Sequence, residues 1–581
     1  MDTRVAALAL LCVAVFSARV TAADFPEKWV YLGSNVADQR GLDNTLAVMK
    51  EAKALGCTHI QLNDGGMAGA GRATPQYLEN VKKVLAAARE MNLTIVPGIY
   101  AIGYSGRYLG RNPDLVAGIP VRDMPYVIRD GSGSPAPELA LKVVNPGFEE
   151  VKDGKLAAWS EPTLPGFISV DTAFKHSGKA SLKVANVDKL PKESGGAVSV
   201  SQTLKVKPFQ YYYLTVWTKS DGIQATGEGY LYVKSQGGKR TNGYTNLGVE
   251  STENWTRHVT FFNTLEATEI TISVGVSEAV TGAVWFDDLE IAPAGLLNVV
   301  RRELTPLKVT SADGKTLYEE GKDFAAIRAG DLGAAYDRST EGAAFRLTEG
   351  SRIKDGQTVL ISFFHTALIY DDQMGISMED PRVFDIMEAQ MKHVAAVWPT
   401  DHYFMNYDEI RIGGWENQPG GAQLKPGQEL AKHVERGIAI VRKYAPEATI
   451  YVWSDMFNPY HNARPFSTAG YYYLVNGNWD GSWEGLPKDV VIANWYSPTK
   501  DGMKFFADRG HKQFMCGYYD GDMKQNISSW MKVSEGVPNV IGMMYTTWRH
   551  NYRDMPEFFR LLKEYPAWLK EPSAESSLKE K

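Results

Sequence analysis

The sequence has few cysteines, no supported cofactor motif and no long apolar run in its body. It contains 3 cysteines, and beyond residue 23 only Cys57 and Cys516 occur. A scaffold held by several disulfides is therefore excluded, and either two buried thiols or one disulfide is possible. No GxGxxG, P-loop or GxSxG pattern stands in a strand–turn–helix context that would support it. No run after the N-terminal one is long enough to predict a transmembrane helix.

The net charge is small and histidines are few, with 10 in the sequence. The net charge is −6, and no basic run predicts binding to nucleic acid. Catalytic metal sites usually rest on clusters of His or Cys, and hardly any His or Cys stands at the ends of the apolar runs that predict strands. We therefore expect no metal and no cofactor. The 44% of hydrophobic residues suffices for a full core, and the 581 residues predict two to four domains. Aromatic residues are plentiful, with 14 Trp, 29 Tyr and 22 Phe.

The N-terminus has the pattern of an export signal. Arg4 precedes the apolar run Val5–Phe16, and a polar stretch then ends in Ala22 and Ala23. A basic start, a short apolar segment and small residues at the end predict a signal peptide over residues 1–23. The run is too short to anchor the chain in a membrane, so we expect a secreted or periplasmic protein.

Strand and helix patterns alternate at both ends of the chain. We predict eight strands: Trp29–Gly33, Thr58–Asn63, Thr94–Tyr100, Tyr403–Met405, Ile450–Asp455, Val490–Tyr496, Gln513–Asp520 and Val540–Trp548. Amphipathic helices are predicted between them: Leu42–Leu55, Pro75–Asn92, Val383–Val397, Gln428–Tyr444 and Lys500–Arg509, with Met555–Tyr565 after the last strand. Eight parallel strands alternating with helices close a (β/α)8 TIM barrel, an α/β fold.

The alternation of strands and helices stops between the third and fourth predicted strands. Short alternating runs from Leu141 to Pro293 predict an antiparallel β-sandwich. Its opening Val144–Glu149 (VNPGFE) and closing Val284–Leu289 (VWFDDL) resemble the first and last strands of jelly-roll carbohydrate-binding modules. This resemblance implies a module that binds sugar or packs against the catalytic domain. The predicted organisation is a barrel over residues 24–139 and 373–570, a jelly-roll module over 140–296, a small β subdomain over 297–372 and a polar tail over 571–581.

Acidic and aromatic residues dominate the C-terminal ends of the predicted barrel strands, where such barrels place their active sites. Our candidates for catalysis are Asp408 and Glu409. Our candidates for substrate binding are Asp64, Arg411, Trp453, Asp455, Trp495, Tyr496, Tyr518, Tyr519, Asp520 and Trp548. Carboxylates among aromatics in an exported barrel predict glycoside hydrolysis, which needs one carboxylic acid for the leaving oxygen and a second group to stabilise the oxocarbenium-like centre. The expected partner is a glycan.

The segment from about 380 to 550 resembles the catalytic half of family 20 glycoside hydrolases, the β-N-acetylhexosaminidases. That family has an Asp-Glu pair after strand 4 of its barrel. The resemblance implies that Asp408 orients the 2-acetamido group of the substrate, which acts as the nucleophile, while Glu409 is the general acid/base. In that family a His-x-Gly-Gly motif precedes the pair, whereas Phe404–Tyr407 (FMNY) stands here.

Three alternatives stay open at this stage. A retaining glycosidase with two carboxylates would use Glu409 as acid/base and Asp520 as nucleophile. Asp455 could instead bind a sugar hydroxyl or act as a base for water. A non-catalytic sugar-binding protein would have no need for an acid such as Glu409 at a strand end.

Four further residues carry secondary interpretations. Arg411 is predicted to orient the acidic pair. His365 is predicted to lie at a module interface, and Trp479 and Trp483 to form a sugar platform.

Overall fold

The computed structural model describes residues 25–566, with gaps at 70–72, 110–111, 139–140, 192–193, 226–230, 238–239, 247, 278, 329–341, 368–372, 419–420 and 422–423. The predicted signal peptide and the polar tail lie outside the described residues.

Eight strands close a barrel in which every neighbouring pair is parallel, and the predicted α/β barrel is confirmed. We number them in chain order: β1 Glu27–Ser34, β2 His59–Asp64, β3 Thr94–Ile99, β4 His402–Met405, β5 Thr449–Trp453, β6 Val491–Asn494, β7 Gln513–Tyr518 and β8 Val540–Thr546. Strands β3 and β4 pair through Gly98 and Phe404, although the whole insertion separates them in sequence. The insertion therefore lies between β3 and β4.

Seven long helices accompany these strands: α1 Gln39–Ala54, α2 Pro75–Glu90, α3 Pro381–Val397, α4 Pro426–Tyr444, α5 Lys500–Asp508, α6 Met523–Ser534 and α7 Met555–Glu564. Four of them begin with proline in the first turn, where its missing N–H costs nothing. The connection from β5 to β6 instead contains the short helices Phe466–Ala469 and Ser482–Gly485.

Alternate strand residues point to opposite sides of the barrel wall. Inward-facing side chains form a largely aromatic cluster that includes Trp29, Phe404 and Phe514, while outward-facing ones join the helix layer. Cys516 belongs to the first group and Cys57 to the second, and both are buried free thiols. The two cysteines are therefore not joined in a disulfide. Burial raises the pKa of the Cys57 thiol to about 12.

The insertion contains two antiparallel sheets of four and five strands whose inner faces share one apolar core, so the predicted sandwich is present. The long strand Tyr211–Ala225 lies inside the five-stranded sheet, between Glu253–Asn263 and Ala279–Pro293. Among the described residues, no helix is both long and apolar enough to cross a membrane.

A further seven-stranded sheet takes strands from both sides of the sandwich. Ile119–Arg129 precedes the sandwich in sequence and pairs with Thr358–His365, which follows it. His365 is fully buried where this sheet meets the sandwich: Asn263 lies 3.0 Å from its ring nitrogen, and the Tyr211 ring stacks on it at 3.8 Å. Burial lowers the pKa of His365 to about 4. The predicted interface role of His365 is confirmed.

Candidate active site

The chain leaves β4 through a turn that carries Asp408 and Glu409. The turn is fixed to the end of β3, because the backbone N–H of Asn406 donates to the carbonyl of Ile99 at 2.8 Å. Glu409 adopts a left-handed conformation with φ of 47°. Gly103 packs so closely that a Cβ there would lie 2.0 Å from the carbonyl oxygen of Asp408. A glycine is therefore required at position 103 for this turn.

The carboxylate of Glu409 is held by three side chains. Arg411 Nη2 and Gln373 Nε2 each donate to it at 2.9 Å, and the hydroxyl of Tyr104 donates to the same oxygen as Gln373. Arg411 also donates through Nη1 to Gln373 Oε1 at 2.8 Å. Hydrogen bonds from a cation to a carboxylate are strong and orienting, so Glu409 is a fixed group paired with a buried positive charge.

Asp408, its neighbour, is in the opposite electrostatic situation. Burial, and secondly the negative charges of Asp455 and Glu409, raise its pKa well above the usual range of a carboxyl. Burial raises the pKa of Tyr31, on β1, to about 12, and the proximity of Asp408 adds a smaller contribution. The pair thus combines a carboxyl whose pKa is raised by burial with a carboxyl bound to arginine.

Asp455, immediately after β5, joins three loops. Its fully buried carboxylate accepts hydrogen bonds at 3.0 Å from the backbone N–H of Glu409, from Trp495 Nε1 and from Asn462 Nδ2. Burial raises its pKa to about 6 although these donors oppose the rise. Asp455 therefore fixes Glu409 and Trp495 relative to each other.

Aromatic side chains form a wall beside these carboxyls. The ring centroids of Trp453, Trp495 and Trp548 lie 5.8–6.0 Å apart, and Tyr519 stacks on Trp548 at 6.2 Å. Trp453 is buried, whereas Trp548 is 42% exposed and Tyr496 is 68% exposed. The wall thus extends from the barrel interior to the solvent.

Several residues other than glycine have left-handed backbone conformations at this end of the barrel. They occur at or after the ends of β3, β4, β6, β7 and β8: Tyr100, Glu409, Tyr496, Tyr518, Tyr519, Asp520 and His550. Such conformations cost about 1–3 kcal/mol each and persist where surrounding contacts enforce them, often at functional sites. Their distribution supports the placement of the site at the strand ends.

In three candidate binding residues, Asp64, Tyr518 and Asp520, the polar side-chain atoms form hydrogen bonds to neighbouring loops of the protein. The carboxylate of Asp64 accepts from the backbone N–H groups of Val36 and Gly66 at 2.8 and 2.9 Å. The hydroxyl of Tyr518 donates to Asp554. Asp520 accepts from three groups of the loop after β8: Thr547 Oγ1 at 2.6 Å and the backbone N–H groups of Trp548 and Arg549 at 2.8 and 3.1 Å.

The interpretation of Trp479 as part of a sugar platform is wrong. Its side chain is fully buried, and its indole N–H donates to the carbonyl of Ile410 at 2.7 Å. Trp483 is partly buried against the helix layer. Within the described residues, no cluster of three or more His, Cys, Asp and Glu side chains is arranged to hold a metal ion.

Comparisons with known proteins give weak likenesses. No protein-family model and no curated protein matches the chain. Among solved structures, a glycoside hydrolase family 20 β-N-acetylglucosaminidase is 10% identical, with 95% of this chain and 76% of that chain covered and a TM-score of 0.31. The family 20 exo β-N-acetylglucosaminidase of Vibrio harveyi is 14% identical over 34% of this chain and 33% of its own, with a TM-score of 0.25. The module TmCBM61, solved with β-1,4-galactotriose, is 17% identical over 26% of this chain and 97% of its own, with a TM-score of 0.19. Likenesses this low leave function to be argued from the residues themselves.

Proposed function

We propose that the chain is a glycoside hydrolase that cleaves β-linked glycans, with Asp408 and Glu409 as its catalytic pair. The observation that carries the proposal is that Asp408, a buried carboxyl whose pKa is raised, stands next to Glu409, which is bound to Arg411, beside a tryptophan wall at the mouth of the barrel. Glycoside hydrolysis needs two groups in different states, one to donate a proton and one to stabilise positive charge.

In detail, we propose a substrate-assisted retaining reaction on N-acetylhexosamine units, with Glu409 as general acid/base and Asp408 orienting the 2-acetamido group. An acetamido N–H that donates to Asp408 would favour its ionised form. The proton of the pair would then move to Glu409, which would deliver it to the leaving oxygen. This division of roles follows the resemblance of the Asp-Glu turn to family 20.

The opposite division of roles is favoured by one specific contact. Arg411 lies 2.9 Å from Glu409, while burial raises the pKa of Asp408. In that case Asp408 would be the acid, and Glu409 would accept the acetamido N–H. Both versions keep the same pair and the same reaction class.

A panel of aryl glycosides tests the proposal. It contains β-N-acetylglucosaminides, β-N-acetylgalactosaminides, β-glucosides and β-galactosides, each with a good and a poor leaving group, assayed with and without a thiazoline inhibitor. Turnover of an N-acetyl sugar that the thiazoline blocks is the expected result. Activity confined to sugars without the acetamido group would overturn the substrate-assisted mechanism, and no activity on any glycoside or glycan would overturn the proposal.

The role of each acid follows from the same panel. The variant that lacks the general acid loses far more rate on poor leaving groups than on activated ones, because only the former need protonation. Glu409→Gln is expected to show this asymmetry and Asp408→Asn to lose rate on both; the reverse pattern would exchange the roles. Glu320→Gln is the matched control, since Glu320 is also paired with an arginine, Arg301, but lies in the small β subdomain.

We further propose that the protein is exported through its N-terminal signal peptide. We also propose that the sandwich is a jelly-roll module of the carbohydrate-binding type. Both rest on the sequence patterns described above.

A further inference from the structure

We propose that Tyr496 and His461 form an outer sugar platform that binds the unit next to the one held at Asp408 and Glu409. The inference rests on the proposed function and adds a substrate class to it: glycans of at least two sugar units are preferred over simple monosaccharide glycosides.

The first observation is that Tyr496 is held exposed under backbone strain. It follows β6, has φ of 61° and leaves 68% of its surface accessible. A left-handed conformation at a bulky residue is unfavourable, and burial of apolar surface does not compensate for it here. Its backbone N–H donates to the hydroxyl of Tyr519 at 2.9 Å, which holds the backbone in this conformation. An aromatic ring that is exposed to solvent on a strained backbone is expected to bind a ligand.

The second observation is that His461 lies flat against this ring. The two ring centroids are 5.9 Å apart with an interplanar angle of 14°. Burial, with a smaller contribution from Arg464, lowers the pKa of His461 to about 4. The stacked pair is therefore uncharged near neutral pH, so it offers an apolar aromatic surface and attracts no ionic group.

The third observation is that the platform continues the aromatic wall of the site. The Tyr496 ring lies 5.7 Å from that of Trp495, and Trp495 donates its indole N–H to Asp455 at 3.0 Å. Asp455 in turn holds the backbone of Glu409. Direct contacts through Trp495 and Asp455 therefore connect Tyr496 with Glu409. The C–H faces of sugar rings pack on aromatic rings, and this continuity identifies the occupant as the next sugar of the same chain.

The experiment compares two substrates of whichever sugar the panel identifies. One is the glycosyl fluoride, whose leaving group is too small to reach the platform; the other is the matching β-linked trisaccharide. In Tyr496→Ala, the ratio of kcat/KM for the trisaccharide to kcat/KM for the fluoride is expected to fall about tenfold, since loss of one aromatic contact is worth about 1.4 kcal/mol. Tyr496→Phe keeps the ring and is expected to keep the ratio.

Phe466→Ala is the matched control, because Phe466 is also an exposed aromatic residue, 46% accessible, but makes an edge-to-face contact with Tyr471. Its ratio is expected to equal that of the wild type. An unchanged ratio in Tyr496→Ala, or an equal fall in Phe466→Ala, would overturn the proposal.

A failure of the proposed function would be visible separately. If the wild type hydrolyses no substrate, its affinity for the β-linked trisaccharide of N-acetylglucosamine, measured by calorimetry on the same variants, still tests the platform. About tenfold weaker binding in Tyr496→Ala alone would support the platform, and equal affinities would reject it.

Discussion

The carboxylate of Asp455 accepts a hydrogen bond from the backbone N–H of Glu409 at 3.0 Å, and the same carboxylate binds the indole of Trp495. The position of Glu409 is therefore tied to that of the tryptophan wall. Because Asp455 is completely buried, its contribution acts through its neighbours and makes it a positioning residue.

Asp455→Asn is expected to lower kcat about a hundredfold, since an amide would present hydrogens to groups that donate and small displacements at an active site carry penalties of this order. The acid limb of the pH–rate profile checks the cause. Burial raises the pKa of Asp455 to about 6, so the carboxylate of the wild type becomes protonated as pH falls through that value. The loss of rate caused by this protonation is absent from the variant, because an amide does not titrate. Asp323→Asn removes another fully buried carboxylate, paired with Arg352 in the small β subdomain, and is expected to leave the profile unchanged. An acid limb that persists unaltered in Asp455→Asn would contradict the assignment.

Asp408→Asn is expected to stabilise the fold above pH 5. The folded-state pKa of Asp408 is raised, so the carboxyl takes up a proton on folding once the unfolded chain has ionised. Its stabilising contribution is complete below the unfolded pKa, near 4, and is lost as pH rises towards the folded value. Thermal melts from pH 4 to 8 should show a Tm advantage of the variant that grows with pH to about 2–4 °C. An advantage that shrinks with rising pH would show that Asp408 is ionised in the folded protein.

Arg411→Met is expected to destabilise the protein by about 3 kcal/mol, because it leaves the Glu409 carboxylate without its charged partner. Arg411 is buried and reaches both Glu409 and Gln373. Denaturant unfolding measures the loss, and activity should fall with it. Arg301→Met breaks the ion pair with Glu320 in the small β subdomain and should cost stability without changing kcat of the folded enzyme. Equal activities of the two variants would contradict the role of Arg411 in the site.

Asp520→Asn distinguishes the two retaining mechanisms. Both oxygens of Asp520 are engaged by the loop after β8, so we expect a loop-holding role and a loss of kcat/KM smaller than about tenfold. A nucleophile replaced by an amide would abolish turnover, and added azide would restore it with formation of a glycosyl azide. Detection of that azide by mass spectrometry would establish the alternative mechanism instead.

Gly103→Ala is expected to abolish activity while the fold is retained. The added Cβ would lie 2.0 Å from the carbonyl oxygen of Asp408, so the catalytic turn has to shift. Gly65→Ala, in the loop after β2, meets nothing within 4 Å and should have activity close to the wild type. Wild-type activity in Gly103→Ala would show that the turn tolerates displacement.

Most of the barrel could be predicted from local patterns, because each strand is a short apolar run and each long helix buries one apolar stripe. Helix α6 was not predicted: only Ile527, Trp530 and Met531 of its residues are buried, so its periodicity is weak. The Asp408–Glu409 turn was predicted because strand ends are marked in sequence. Gln373, which lies 36 residues before Glu409 in an irregular segment, has no such mark.

Long-range packing accounts for the remaining differences. Trp479 is buried because Gly413 leaves room for it; a Cβ at Gly413 would lie 2.5 Å from its ring. The strand Ile119–Arg129 finds its partner, Thr358–His365, only beyond the sandwich. Neither the contact of Trp479 with Gly413 nor this strand pairing can be predicted from the residues that adjoin them in the sequence.

The pairing of Ile119 with His365 also bears on the order in which the chain folds. Strands β3 and β4 must meet across an insertion of about 300 residues, and the entropy of closing a loop rises with its length. Once the insertion has folded, that pairing holds its two ends together, and only the short segments on either side of it remain to be closed. We expect the inserted modules to form first and the barrel to close last, so that the site at Asp408 is assembled in the final step of folding.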